Sequence, residues 1–330
     1  MTLISADEIA KVPFIKAVPC DGRSIRLQAF RDRDAGEWVF NHSINGSLVR
    51  MNAEPVVGFY WGQEPEDSTK DFYIPLCDLI CQHLSWPRVA GAMEGLEEDF
   101  HNLGAILDKY LLISDMPASR RSSASQIILT ELEYLIIIVR SMYDGLQKVC
   151  KQLASVTRST SPPHDRIIDD LPASFAKVVI DGRDKHLRSE DELVDRFRLP
   201  QPIAQFYHEE GHLFQILRTL RVGIEHYGAS PGLIVNLDEG MAILTDTDPW
   251  QSLPVWRQGT LINNNCGSLH ALFLFLAEHI ISVTSKFAYT YASCIAMPEA
   301  ICPGWHLYLR DYCSHHLVSL KDNMENPWER

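Results

Sequence analysis

Long hydrophobic runs are missing from this 330-residue chain. No stretch of 18 consecutive apolar residues occurs, and the runs at 136–139 and 272–276 have the size of core-helix segments rather than membrane spans. The opening residues, MTLISADEIAKVPFIK, carry acids and lack an apolar segment of signal-peptide length. A cytoplasmic protein with no membrane partner is therefore expected. Cysteines are few and unpaired in pattern: the eight stand at 20, 77, 81, 150, 266, 294, 302 and 313, with no CxxC. That spacing predicts reduced thiols packed as small hydrophobes. Positive charge is also short, with 30 basic residues against 43 acidic and a formal net charge of −13. Non-specific DNA binding needs clustered Lys and Arg and is not expected, while RNA would require a local basic pocket. The signatures G-x-x-x-x-G-K-[ST] and G-x-G-x-x-G are absent, which removes the motif basis for P-loop and Rossmann assignments. There is no internal repeat and no low-complexity tract.

What is present is a globular composition, 46% hydrophobic and 22% charged. Residues 24–30, 37–44, 47–52 and 55–62 are short, aromatic and β-branched, with Asn45-Gly46 as a hairpin signal between two of them. Helical spacing then takes over. Met93, Leu96, Phe100, Leu103, Ile106, Leu107 and Tyr110 mark one helix within 88–113. Ser123 and Gln126 fit a capping box that opens a second, to about Leu153. A third is expected over about 203–222 or a little longer. A fourth runs from about Ser268 to Ala296 and is stopped by Pro298. The charge-dense segment 181–198 predicts a solvated linker helix, residues 233–244 a hairpin, and residues 305–320 a short helix. The expected fold class is mainly α: a helical bundle of four to five long helices with a small β-containing N-terminal region. The expected division is 1–80 as a mixed, β-rich region and 81–330 as the bundle, with a β-hairpin insertion near 233–245.

The third helix concentrates the candidate chemistry. His208-Glu209-Glu210-Gly211-His212 satisfies H-E-x-x-H, in which two histidines four apart share a helix face and bind zinc while Glu209 deprotonates the metal-bound water. His226 cannot be the third ligand, because 18 residues of helix separate it from His208 by about 27 Å; Glu239 or Glu278 would have to be supplied by the fold. Glu-x-x-His occurs twice, at Glu98/His101 and Glu209/His212, and with Glu131, Glu133 and Glu278 on the other helices it fits the ligand set of a di-iron bundle. A metal-dependent enzyme using zinc or iron through His208, Glu209 and His212 is thus one alternative.

The same helix ends in LRTLRVGIEHYG, residues 217–228, where Arg221 is followed after four residues by His226. This resembles the R-x4-6-H motif of nucleolytic HEPN domains, which are helical bundles of four to five helices; the apolar helix over 131–146 also looks like the one that precedes the motif helix in that family. The resemblance implies a metal-independent endoribonuclease with no cofactor, acting in defence or as a toxin, with RNA as partner and a site built across a homodimer. It implies that Arg221 steadies the phosphate charge and His226 acts as general acid or base, with Arg218 binding substrate. Active members commonly carry Asn, Asp or His after the Arg, whereas here Val222 stands there, which points to a degenerate RNA- or nucleotide-associated role as the second form of the same reading. Five residues of regular helix turn 221 and 226 about 140° apart, so a shared site needs loosening at Gly223 or a second chain. The plain alternative is a non-enzymatic helical interaction module, in which Arg218, Arg221 and Glu225 form an ion-pair ladder and His226 faces the helix dipole.

Other residues have ordinary explanations. Arg140 and Asp144 fit an i,i+4 pair. Arg120-Arg121 forms a small basic loop. Asn263 to Asn265 suits a turn and N-cap. His306, His315 and His316 with Asp311 look like ligands, but adjacent helical histidines start about 100° apart, which argues against one metal using both.

Overall fold

The computed structural model describes residues 12, 15, 22–24, 26, 28–44, 47–53, 57–157, 171–182, 186–227, 233–237, 240–246, 248–257, 259–263 and 265–322. The expected strands form: β1 (Ala29–Asp32), β2 (Glu37–Ile44), β3 (Ser47–Ala53) and β4 (Gly58–Gly62). The short β5 (Phe72–Tyr73) follows the polar loop over 63–71. Helices α1 (Pro75–His83) and α2 (Pro87–Ser114) each begin on a proline in the first turn, where the missing N–H costs nothing. Then come α3 (Ala118–Ala154), α4 (Phe175–Val179), α5 (Glu190–Phe197) and α6 (Gln201–Tyr227). The strands β6 (Ile234–Leu237), β7 (Gly240–Leu244), β8 (Leu261–Asn263) and β9 (Cys266–Ser268) lead into α7 (Leu269–Cys294), and the described chain ends in β10 (His306–Arg310) and α8 (Ser314–Asp322).

The four long helices are as the periodicity predicts, but the fold class is not. Two sheets accompany the helices, one of six strands in the order β3-β2-β1-β4-β10-β5 and one of four in the order β6-β7-β9-β8. The β part is neither small nor confined to the N-terminus, so a mainly α bundle with a small β appendage is corrected to a mixed α/β fold. The decisive strand is β10. It lies antiparallel between β4 and β5, although it comes more than 230 residues later in the chain. The short helix expected around 305–320 forms at its C-terminal end, as α8, while 306–310 is a strand. The alternation His306-Leu307-Tyr308-Leu309-Arg310 fits a strand, and its partners hold it at both ends. Arg310 bonds the fully buried Asp71 carboxylate, with Nη2 at 2.8 Å from Oδ2, and Leu307 N–H donates to Asp78 Oδ1 at 2.9 Å. Tyr60 Oη donates to Asp71 at 2.7 Å, and burial raises the Tyr60 hydroxyl far above its ordinary value. The α1 residue Gln82 anchors the approach to β10 from both amide atoms: it donates to Cys302 O at 3.0 Å and accepts from Cys302 N–H at 2.9 Å.

One apolar core runs through both parts, from Phe30 and Trp61 of the sheet to Leu135, Phe214 and Leu276 of the helices. The 37-residue α3 is its axis and packs on α2, α6 and α7. Leu132, Leu135, Ile136, Val139, Met142 and Tyr143 are buried, which covers most of the helix circumference as the sequence suggested. It starts at Ala118, with Pro117 as N-cap, rather than at a capping box on Ser123. Gly145 lets α2 close on α3, since a Cβ there would lie 2.7 Å from a Leu96 methyl. The capping box that does form is at Ser189 and Glu192, opening α5, which buries Leu193 and Phe197 and so is more than a solvated linker. The hairpin β6–β7 forms, with residues 238 and 239 outside the described residues.

Helix α7 carries its predicted stripe, Leu269, Leu272, Phe273, Leu276, Ile280, Val283 and Phe287, entirely buried. By length and composition it is the one helix among the described residues apolar enough to cross a membrane, and most of its apolar surface is buried within the protein. The seven described cysteines are all free, and six of them are buried. Burial pushes the Cys81, Cys150 and Cys302 thiols up to about 12, as inert packing thiols require.

Candidate functional site

Among the described residues, no third ligand gathers with the H-E-x-x-H residues. His208 and His212 sit edge to face with ring centroids 5.7 Å apart. His208 Nδ1–H donates to Arg188 O at 3.0 Å. Glu209 is taken up by Lys286 Nζ at 2.6 Å and Gln205 Nε2 at 2.8 Å, which hold its carboxyl below the ordinary range. Gly211 has a packing role: a Cβ there would press on Leu187 at 3.3 Å and Val179 at 3.5 Å. The di-iron set is dispersed as well. His101 pairs with Asp311 at 2.6 Å, Glu131 with Lys109 at 3.2 Å, and Glu98 is exposed. Among the described residues, the group whose ligand atoms do gather, within 4.8 Å of one another, is Asp108, His315 and His316. The two rings lie 3.8 Å apart, and His316 Nε2 is 2.9 Å from Asp108 Oδ1. Adjacent Cα–Cβ bonds diverge on a helix, but rotation about χ1 on the first turn of α8 brings the rings together, against the sequence expectation. These three residues are the ones that could hold a divalent metal.

The motif residues Arg218, Arg221 and His226 lie on the last turns of α6, which stays helical through Gly223 to Tyr227. The loosening that would bring 221 and 226 onto one face is therefore not present, and the two positions point about 140° apart. Arg221 and Val222 are half-buried, and the His226 side chain lies outside the described residues. Arg218 is exposed and lines a cavity with Arg188, Arg196 and Lys177.

A different constellation meets between α3, α6 and α7, with Tyr143 and Glu210 buried and His279 and Lys286 half-buried. Tyr143 Oη lies 2.7 Å from His279 Nε2, and the Glu210 carboxylate lies 3.4 Å from the same nitrogen. Lys286 Nζ donates to Glu210 at 2.8 Å. His279 and Lys286 stand seven residues apart, two turns along one face of α7, and Phe275, one turn before His279, stacks on its ring at 5.9 Å. Burial pushes His279 below its ordinary value; Glu210 opposes this and Lys286 adds to it. The imidazole is therefore neutral near pH 7 and carries one N–H. The carboxylate beside Nε2 favours the proton there, which leaves Nδ1 as a lone pair with no hydrogen bond to a described residue. Burial, and then Glu210, hold the Tyr143 hydroxyl well above its ordinary value, so it stays protonated; its oxygen accepts from His279 Nε2–H and its O–H donates to the Glu210 carboxylate.

His279 also borders a cavity of about 350 Å³. Glu278 and Ser282 of α7 line it, with Arg257 and Thr260 from the segment before β8 and Leu320 from α8. Burial raises the Glu278 carboxyl, and the Arg257 charge partly offsets the rise. One cavity thus holds a base lowered from its ordinary value and an acid raised from its own, the pattern that brings two groups into range for proton exchange. The sequence signal was a charged residue within an apolar helical neighbourhood. Glu210 lies among Phe206, Tyr207, Leu213 and Phe214, and His279 and Lys286 lie beside Leu276, Ile280, Val283 and Phe287. Of this group only Glu278 and Glu210 stood near a motif, and neither in this role. Comparison with known proteins gives no match: no family model, no curated protein and no solved structure matches this chain.

Proposed function

We propose that this protein is an enzyme of acid–base chemistry on a small anionic substrate, with the reaction centred on His279. The observation that carries the proposal is an imidazole whose Nε2 is held by Tyr143 and Glu210 at the wall of a cavity shared with Glu278. His279 Nδ1 takes a proton from carbon or water, and Nε2 passes the developing charge to Glu210. Glu278, raised by burial, returns a proton on the other side. Arg257 makes no ion pair within 4.0 Å among the described residues and is placed to hold a carboxylate or phosphate of the substrate. A cavity of about 350 Å³ takes a metabolite-sized molecule, and proton transfer next to a carbonyl is the simplest reaction this set performs.

The test has two arms. In deuterium oxide, small 2-oxo acids and their phosphorylated analogues are followed by NMR for deuterium at the carbon beside the carbonyl. Exchange that disappears in His279→Gln, with the circular dichroism spectrum unchanged, supports the proposal. In parallel, NMR titration of the imidazole reports its charge. An imidazole still protonated at pH 7 removes the base and ends the proposal. Cleavage of RNA through Arg221 and His226 is a separate proposal that rests on the motif alone.

A further inference from the structure

The cavity bordered by α4, α5 and the C-terminal half of α6 has nearly the same volume, about 350 Å³, and opposite electrostatics. Arg188, Arg196, Arg218 and Lys177 all line it. Asp181 is the one carboxylate in ion-pair contact with any of them among the described residues, at 3.5 Å from Arg188 and 4.0 Å from Arg196. Glu192 is nearby but committed: it accepts from Ser189 N–H at 2.7 Å in the capping box and lies 3.3 Å from His186. Arg218 and Lys177 are exposed and make no ion pair with a described residue.

Arg188 is the buried anchor. It is 4% exposed and donates to the backbone carbonyls of Lys177 and Val178, so its guanidinium is fixed in place. Burial, and then the Arg196 charge, hold it below its ordinary value. A cationic group in that state is stabilised by any anion that arrives. In a chain with 13 more acids than bases, a cluster with one carboxylate in contact among the described residues does not follow from composition. The rest of the wall is apolar, with Pro172, Ala176 and Ile180.

We propose that this cavity binds a small molecule carrying a phosphate group on an apolar body. A dianionic phosphate matches several converging cations better than a monoanionic carboxylate does, and guanidinium forks suit its oxygens. The apolar wall seats the remainder of the molecule. The site is independent of the His279 cavity, and the two proposals fail separately.

Isothermal titration calorimetry of the full chain tests this with phenyl phosphate, inorganic phosphate, benzoate and a short single-stranded RNA. Phenyl phosphate binds saturably with one site per chain, more tightly than inorganic phosphate or benzoate. Arg218→Ala and Lys177→Ala each weaken it about tenfold, the scale of one charge-assisted hydrogen bond. Both side chains are exposed, so these variants keep the fold, as circular dichroism checks. Absence of saturable phenyl phosphate binding overturns the proposal. So does an affinity unchanged in both variants, or RNA binding strongly where phenyl phosphate does not.

Discussion

Two cavities of the same volume, both flanked by α6 or its partners, handle charge in opposite ways. Around His279 the helical cluster is matched, Glu210 meeting Lys286 and an imidazole lowered by burial, and the cavity wall adds one charge of each sign in Arg257 and Glu278. Around Arg218 they are not: among the described residues, four cations share one carboxylate in contact. The two proposals rest on this difference. A balanced, buried set with a neutral base moves a proton without holding net charge, while an unbalanced, half-open set attracts an anion. Both cost stability relative to apolar packing, which is why such groups mark functional positions more than structural ones.

The contrast can be broken most sharply at Glu210. Glu210→Ala leaves Lys286 with only the exposed Glu209 and deprives His279 of its carboxylate. A loss of about 2 to 3 kcal/mol in urea unfolding is expected, below the range for a fully buried pair because Lys286 Nζ is partly solvated. Glu209→Gln, on the exposed side of the same lysine, should cost under about 0.5 kcal/mol.

The second effect is on pH. His279 in the folded state lies below its unfolded value near 6.5, so the unfolded chain binds more protons as pH falls. Its contribution is fully present above about pH 6.5 and is lost as pH drops toward the folded value, with a slope of at most about 1.4 kcal/mol per pH unit. His101 has the opposite sign: its bond to Asp311 raises it, so its contribution is present at low pH and is lost as pH rises through the folded value. Comparing unfolding of the wild type and His279→Gln from pH 5 to 8 isolates the His279 share. A difference independent of pH would contradict the buried neutral imidazole.

Smaller again is Tyr143→Phe, which removes one hydrogen bond to His279 and should cost about 1 kcal/mol by thermal or urea unfolding. The smallest effect sharpens the other side of the comparison. Arg218→Gln relieves repulsion in the basic cavity and touches no partner among the described residues, so stability should change by less than about 0.5 kcal/mol while anion affinity falls.

Legibility followed the range of the interactions. The apolar stripe of α7 from Leu269 to Phe287 could be read because every contributor lies within a few turns, and the same holds for α2 and for the β6–β7 hairpin. Strand β10 could not be read as a strand, because what makes it one is pairing with β4 and β5 and the Arg310–Asp71 bond across 239 residues. His315 and His316 were placed apart by helix geometry and brought together by side-chain rotation toward Asp108. H-E-x-x-H lies on the helix that also carries Glu210 of the proposed cluster, but its histidines and Glu209 are not part of that cluster. Its Glu209 is a surface ion pair, and its neighbour Glu210 is the buried acid. Arg218 was singled out as a substrate-binding cation, and it does line a basic cavity; the three cations beside it come from other segments.

What the amino-acid order determined alone is the set of long helices and the first four strands, since local periodicity and proline placement depend only on neighbours a few residues away. Only the tertiary structure decided that the C-terminal strand completes the N-terminal sheet, and that a tyrosine, a glutamate, a histidine and a lysine from three helices meet in one cluster. Those pairings join residues tens to hundreds of positions apart, and such contacts are selected by the packing of the whole core rather than by any short stretch of sequence.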